Sequence, residues 1–203
     1  LSPWAQRKQK KRDPDRSWRI LRDKSMTNSI LLFDLDGTLT DPFNGITQCI
    51  SYALSSIGVK PPPKPDLAWC IGPPLKHSFS KLLESDDEKV LQKALALYRE
   101  RFGKRGMYEN RVYDGIPQML SALKEKGHPL FVATSKPGVF ARQIIDYFDL
   151  RSYFKEIYGS ELDGTRTDKT ALISHILEKE SLSPSHAVMI GDREFDMAGA
   201  RNN

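Results

Sequence analysis

The chain has 203 residues, with 31 Lys/Arg against 26 Asp/Glu and a formal net charge of +5 at pH 7. That length suits one core domain carrying a substantial insertion, and no apolar run approaches the length of a membrane span. The charge alone would fit a nucleic-acid binder, but residues 1–25 hold nine Lys/Arg and three Asp/Glu, leaving 22 basic and 23 acidic side chains beyond them.

The basicity therefore belongs to the leader, whose Arg7–Arg12 run is flanked by Trp4 and Trp18. A solvated, disordered extension is the expected state, in preference to a nucleic-acid or anionic-membrane binder, because short basic runs are weak motifs. Met26 stands just before the first strand, so residues 1–25 read as a vector-derived, misassigned or dispensable leader. Cys49 and Cys70 form no CxxC pair, and free thiols in a reducing cytoplasm are expected. His77, His128, His175 and His186 are isolated, which suits surface or core-edge roles rather than metal binding.

In chain order, Ile30 to Phe33 is an apolar run of the kind found in strands buried on both faces. Asp34 and Asp36 follow at its end, and Gly37-Thr38 suits a tight turn with exposed backbone N–H groups. Residues two apart in a strand share a face, so both acids can look into one site. Two acids on one face repel each other, and a metal ion or a shared proton is the natural remedy. Asp41 is a candidate cap before Pro42, opening a helix to Ile57 with Ile46, Ile50, Ala53 and Leu54 at helical spacing.

Val59 to Pro65 is a stiff proline-rich connector. An apolar stretch from Leu67 to Ile71 breaks at Gly72-Pro-Pro-Leu75 and resumes as His77 to Leu83. Asp86 and Asp87 start another helix, with Leu91, Ala94, Leu95 and Tyr98 on its apolar side, and Lys104 to Asn110 is polar and loop-like. A helix from Ile116 to Lys126 ends at Gly127, and Pro129 to Ser135 is the next buried strand. Helix Val139–Phe148, short strand Glu156–Ser160, helix Lys169–Glu180 and buried strand Ala187–Asp192 complete the pattern. Alternating strands and helices imply an α/β fold, a Rossmann-like parallel sheet covered on both faces. More than ninety residues separate the first two strands, where a crossover needs only about a dozen. The excess, residues 43–111, is expected to be an inserted helical cap above the strand ends, with the core formed by 26–42 and 112–203.

Ligands bind at the C-terminal ends of strands in open parallel sheets. Those ends carry Asp34 and Asp36, then Thr134 and Ser135, then Asp192 with Asp196 close behind. Such a carboxylate set is a hard-oxygen site suited to Mg²⁺, and a hydroxyl with turn N–H groups at a helix start suits a phosphate. Lys169, opening a helix just before the last strand, can supply the positive charge; Lys136 and Arg166 compete for that role, and position favours Lys169.

Asp34-Leu-Asp-Gly-Thr-Leu, Ala133-Thr-Ser-Lys-Pro137, Lys169 and Gly191-Asp-Arg-Glu-Phe-Asp196, taken in order, resemble the four motifs of the haloacid dehalogenase-like hydrolases. The resemblance runs from about Ser29 to the end, and the helical insertion looks like that family's first cap type. It is closest to the small-molecule phosphatases related to phosphoglycolate phosphatase and to a group of 5′-nucleotidases. The resemblance implies that Asp34 is the nucleophile, forming an aspartyl-phosphate, and that Asp36 is the general acid and base. It implies Mg²⁺ on Asp34, the backbone carbonyl of Asp36 and Asp192, with Asp196 orienting ligands or water. Thr134 and the Ser135 N–H would hold phosphate oxygens, Lys169 would neutralise them, and Gly72-Pro-Pro-Leu75 resembles the cap loop that reaches the substrate.

Relatives on the same fold separate at the first motif. A dehalogenase needs no acid at Asp36, phosphonatases use a cap lysine for which Lys76 and Lys81 lack supporting spacing, and sugar phosphomutases usually show Asp-Gly-Val. The expected activity is thus Mg²⁺-dependent hydrolysis of a small cytoplasmic phosphate monoester by a monomer or homodimer, phosphoglycolate phosphatase-like, with a 5′-nucleotidase as the alternative. Two readings of other classes compete: a nucleic-acid-binding protein acting through the basic leader, and an inactive fragment, since family members usually continue into a further strand beyond Asn203.

Overall fold

The structure, a computed structural model, describes residues 29–203. The basic leader, and with it the expectation of a disordered or nucleic-acid-binding tail, lies outside the described residues. Four parallel strands form the sheet: β1 (Ile30–Phe33), β4 (Leu130–Pro137), β5 (Glu156–Ser160) and β6 (Ala187–Ile190), in the order β5-β4-β1-β6. β1 is central because it is apolar on both faces. Leu31 and Phe33 point into a core with Leu120 of helix α4 (Ile116–Glu125) and Ile144 of α5 (Gly138–Tyr147). Ile30 and Leu32 point the other way, onto Leu172, Ile173 and Ile176 of α6 (Lys169–Lys179). Helix α7 (Glu194–Arg201) follows β6.

The register fixes which residues meet at the site. Phe33 lies level with Val132 on one side and Ile190 on the other, so the residues that follow each emerge at one edge of the sheet. The Asp34 N–H still donates to the Ile190 carbonyl at 2.9 Å, which anchors this acid before the chain turns away.

The inserted helices α1 (Phe43–Ser56), α2 (Leu75–Leu83) and α3 (Glu88–Arg101) lie between two short strands, β2 (Thr40–Asp41) and β3 (Arg111–Val112). These pair antiparallel and are clamped by an ion pair of 3.0 Å between Arg111 and Asp41. The insert shares its core with the sheet, since Leu39, Ile46, Ile50, Phe79, Leu91 and Tyr98 pack in the same cluster as Phe33. The Asp87 carboxylate accepts the Lys89 N–H at 2.9 Å and caps α3.

Three local expectations change. Asp41 belongs to β2 and accepts the Phe43 N–H at 3.1 Å, while Pro42 occupies the cap position of α1. Residues Leu67–Cys70 belong to a 3₁₀ turn spanning Lys64–Cys70, and Ile71 follows it in extended backbone. The polar segment after α3 is no simple loop: Phe102–Gly106 continues as a π-helical turn with Phe102, Gly106 and Met107 buried. The Phe102 ring stacks on Tyr98 at 5.4 Å, which turns the apolar side of that segment inward while Lys104 and Arg105 stay exposed. Among the described residues, no helix is long and apolar enough to cross a membrane.

Candidate active site

Asp34 shares the strand parity of Ile30 and Leu32, so it faces α6 rather than α4. Lys169 is the first residue of α6, whose start is capped by the Asp168 carboxylate accepting the Ala171 N–H at 3.0 Å. Its side chain is almost wholly buried, with Nζ 3.0 Å from Asp34 Oδ1 and 2.7 Å from Asp196 Oδ1. The same amine donates to the Ala133 carbonyl at 2.7 Å. Of the three cations that competed on sequence, Lys169 is the one against Asp34.

Burial pushes the Asp34 carboxyl above its ordinary pKa; Lys169 pulls it back, and the Asp196 and Asp36 charges push it further up. Asp196 is fully buried rather than an exposed helix residue, and its Oδ2 accepts the Arg193 N–H at 3.1 Å, pinning the start of α7. Asp192 is exposed and lies over the turn after β1, with the Thr38 hydroxyl 3.5 Å from its Oδ1. Gly37 permits this approach: its φ is +88°, and a Cβ there would overlap the Asp192 carboxylate.

Asp34, Asp192 and Asp196 each offer an oxygen, all within 4.8 Å of one another. Three anionic hard-oxygen donors that close, one of them disfavoured as a charge by burial, fit Mg²⁺ by donor chemistry. Asp36 lies outside that group. Its Oδ2 is 2.7 Å from Lys136 Nζ, and its Oδ1 is buried without a hydrogen-bond partner.

β4 continues two residues beyond the expected Ser135, slipping register after Ala133 so that Pro137 pairs with Ser160. The Ser160 hydroxyl donates to the Ser135 carbonyl at 2.8 Å and holds the bend. Thr134 is buried, and its Oγ1 accepts the Lys136 N–H at 3.3 Å, leaving the hydroxyl hydrogen available to a ligand. Asp34, Asp36, Thr134, Ser135, Lys169 and Gly72 all border one cavity of about 830 Å³ between sheet edge and insert.

Two residues of this cavity were missed on sequence as positive site members. Lys136 weighed only as a competitor to Lys169, yet its amine is buried between Asp36 and the Phe102 ring, 4.5 Å from the ring centroid. Arg193 carried no expectation; its Nε lies 3.3 Å from Asp192 Oδ2 and its Nη2 donates to the Ile71 carbonyl at 2.8 Å. The signal for Lys136 was its place beside Thr134-Ser135, but burial by a ring from another segment cannot be read from spacing.

The cavity thus brings a buried carboxylate, Asp34, beside a buried cation, with a second acid two residues on and a hydroxyl donor. That set can accept a phosphoryl group. Comparison with known proteins agrees. The family model for haloacid dehalogenase-like hydrolases matches residues 31–203. A 5′-nucleotidase of Pseudomonas aeruginosa is 51% identical over 183 residues, covering 90% of this chain and 82% of that protein. The tyrosine-protein kinase PtkA of Mycobacterium tuberculosis is 38% identical over 174 residues, but the chain spans only 58% of its length. Phosphoglycolate phosphatases match at lower identity, 28% for that of Aquifex aeolicus. The crystal structure of a predicted phosphatase from Clostridium acetobutylicum superimposes with a TM-score of 0.82 at 44% identity, covering 87% of this chain and 81% of that one. The chain therefore belongs to the haloacid dehalogenase-like hydrolases, as one of the family's phosphatases.

Proposed function

We propose that the chain hydrolyses a small phosphate monoester with Mg²⁺, through an aspartyl-phosphate on Asp34. The observation that carries this reading is the buried Asp34–Lys169 pair on the floor of a large cavity, with Asp36 two residues on. Asp34 attacks phosphorus in line as the bond to the leaving oxygen breaks, and Asp36 gives that oxygen a proton. Asp36 then takes a proton from the water that attacks the acyl-phosphate, and inorganic phosphate and the free Asp34 carboxylate result. The Thr134 hydroxyl and the Ser135 N–H hold phosphate oxygens, Lys169 offsets their charge and orients Asp34, and Asp196 orients Lys169 in turn. Of the three clustered acids, Asp34 and Asp192 would hold Mg²⁺ together with the Asp36 backbone carbonyl, while Asp196 is taken up by Lys169; the ion when bound would supply charge neutralisation between carboxylate and phosphate.

On substrate, the reading moves from phosphoglycolate to a nucleoside 5′-monophosphate. The nucleotidase relative is far more similar than the phosphoglycolate phosphatases, and about 830 Å³ leaves room for a leaving group the size of a nucleoside. Within the described residues we place the core at 29–42 and 112–203 and the cap at 43–111, a division supported by the β2–β3 pair at the insert's two ends. Unpaired Cys49 and Cys70 support a reducing, cytoplasmic setting. A phosphate-release panel holding nucleoside monophosphates and 2-phosphoglycolate, with and without chelator, tests the reading. Release that persists with chelator or in Asp34→Asn would falsify it, and phosphoryl transfer to protein tyrosine instead of water would favour the chemistry named for PtkA.

A further inference from the structure

Arg193 is a core side chain that bonds the backbone of the insert at the turn lining the cavity. Its backbone is fixed by Asp196, whose buried carboxylate accepts the Arg193 N–H at 3.1 Å. From there the guanidinium reaches two ways: Nε to Asp192 Oδ2 at 3.3 Å, and Nη2 to the Ile71 carbonyl at 2.8 Å. Ile71 follows the 3₁₀ turn of the insert, and the Gly72–Leu75 segment after it lines the same cavity as Asp34.

The fit between turn and arginine depends on residue 72 having no side chain. Gly72 sits at φ +103°, and a Cβ there would come within 3.1 Å of Arg193 Nε. Arg193 Cγ, Cδ and Nε pass close to that bare backbone, and from there its fork serves a carboxylate and a carbonyl together. A lysine ammonium, a single point of charge, could not serve both partners with the same geometry.

We propose that Arg193 is a positioning residue that sets the height of the Ile71–Leu75 turn above the carboxylate cluster, and so selects leaving groups by size. Its side chain is about two-fifths exposed, so a ligand at the cavity mouth can reach it and the contact can break and re-form. Salt screens the Asp192 arm more than the hydrogen bond to Ile71, which leaves the turn contact as the stronger tie. The effect on turnover rests on the phosphatase reading above; the contact and its effect on the turn do not.

The test compares wild type, Arg193→Ala and Arg193→Lys by amide hydrogen exchange and steady-state kinetics. Loss of a charge-assisted hydrogen bond predicts about tenfold faster exchange at the amides of residues 68–72 in Arg193→Ala, with those of β4 as the unchanged reference. Arg193→Lys keeps a donor and is expected to recover part of that protection. With adenosine 5′-monophosphate as the probe, KM should rise about tenfold in Arg193→Ala while kcat stays within about twofold. Exchange in 68–72 that is unchanged, or a lysine variant no better protected than the alanine one, overturns the proposal. So does a fall in kcat at constant KM, which would place Arg193 on Asp192 alone. If wild type itself releases no phosphate, the phosphatase reading fails while the exchange comparison still decides the role of the turn.

Discussion

Lys169 Nζ lies 3.0 Å from Asp34 Oδ1, inside a site where neither side chain has appreciable access to solvent. A carboxylate in that position is costly without a cation, and the same amine also serves Asp196 at 2.7 Å. One ammonium therefore bridges two buried acids, Asp34 just after β1 and Asp196 of α7, and can balance the full charge of only one of them.

Replacing that cation is expected to damage stability and turnover together. Lys169→Met keeps the length of the chain but leaves Asp34 and Asp196 as unpaired buried acids, a loss of about 3–5 kcal/mol by analogy with other broken buried pairs. Phosphate release should fall by roughly 10² or more, since the proposed mechanism has this amine orient Asp34 and offset the phosphate charge. Urea denaturation and steady-state assays of the folded variant check both. A variant as stable as wild type would show that the amine contributes little to the buried charge balance.

The raised carboxyl of Asp34 gives a pH dependence of definite sign. Burial makes the folded state hold this proton more tightly than the unfolded chain, whose value is near 3.8. The group therefore favours the folded state below the unfolded value, and that advantage is lost as pH rises through the folded one. In chelator, Asp34→Asn is expected to be more stable than wild type at pH 7, with the difference fading as pH falls towards 3.8. Denaturant titrations across that window check it; a difference independent of pH would assign the gain to something other than the charge.

A divalent cation should reverse that cost. Mg²⁺ at about 100 times its dissociation constant adds about 2.7 kcal/mol to a protein that binds it only when folded. For a chain of this size that is a rise of roughly 5–10 °C in Tm. Thermal melts with and without Mg²⁺ should show the shift in wild type and lose most of it in Asp34→Asn and Asp192→Asn. Equal shifts in all three proteins would move the ion elsewhere.

Legibility in the sequence follows how local each determinant is. Strand β1 and its acids were readable because apolar run, parity and turn all lie within a dozen consecutive residues. Strands β4 and β5 were legible from their own residues and α6 from its helical period. In contrast, β6 stops at Ile190 and is partly exposed, because it is an edge strand and not the buried strand Ala187–Asp192 its apolar run suggested. Lys169 was readable from its place at a helix start. Lys136 and Arg193 were not, because their roles depend on Phe102 and Ile71, which come from the insert and meet the sheet edge only in three dimensions. The π turn at Phe102–Gly106 hid for the same reason: its local composition is polar, and its burial comes from stacking on Tyr98 and from contact with α1.

The pairing of Lys136 with Asp36 makes the last prediction. The amine is 2.7 Å from Asp36 Oδ2, with both side chains mostly buried, and the Phe102 ring lies on its other side. Lys136→Met preserves an unbranched apolar stem against the ring, so packing changes little while the charge is removed. What is lost is the partner of Asp36, and a double-mutant cycle isolates it. Lys136→Met and Asp36→Asn should each destabilise the fold, and the double variant should be less unstable than their sum by about 1–3 kcal/mol. Lys136→Met should also lower kcat more than it raises KM, because in the proposed mechanism Asp36 acts on the leaving oxygen and on water rather than on the bound phosphate. Additive stabilities would mean that the pair seen here is not coupled, and the orientation of Asp36 would then have to come from the turn at Gly37 alone.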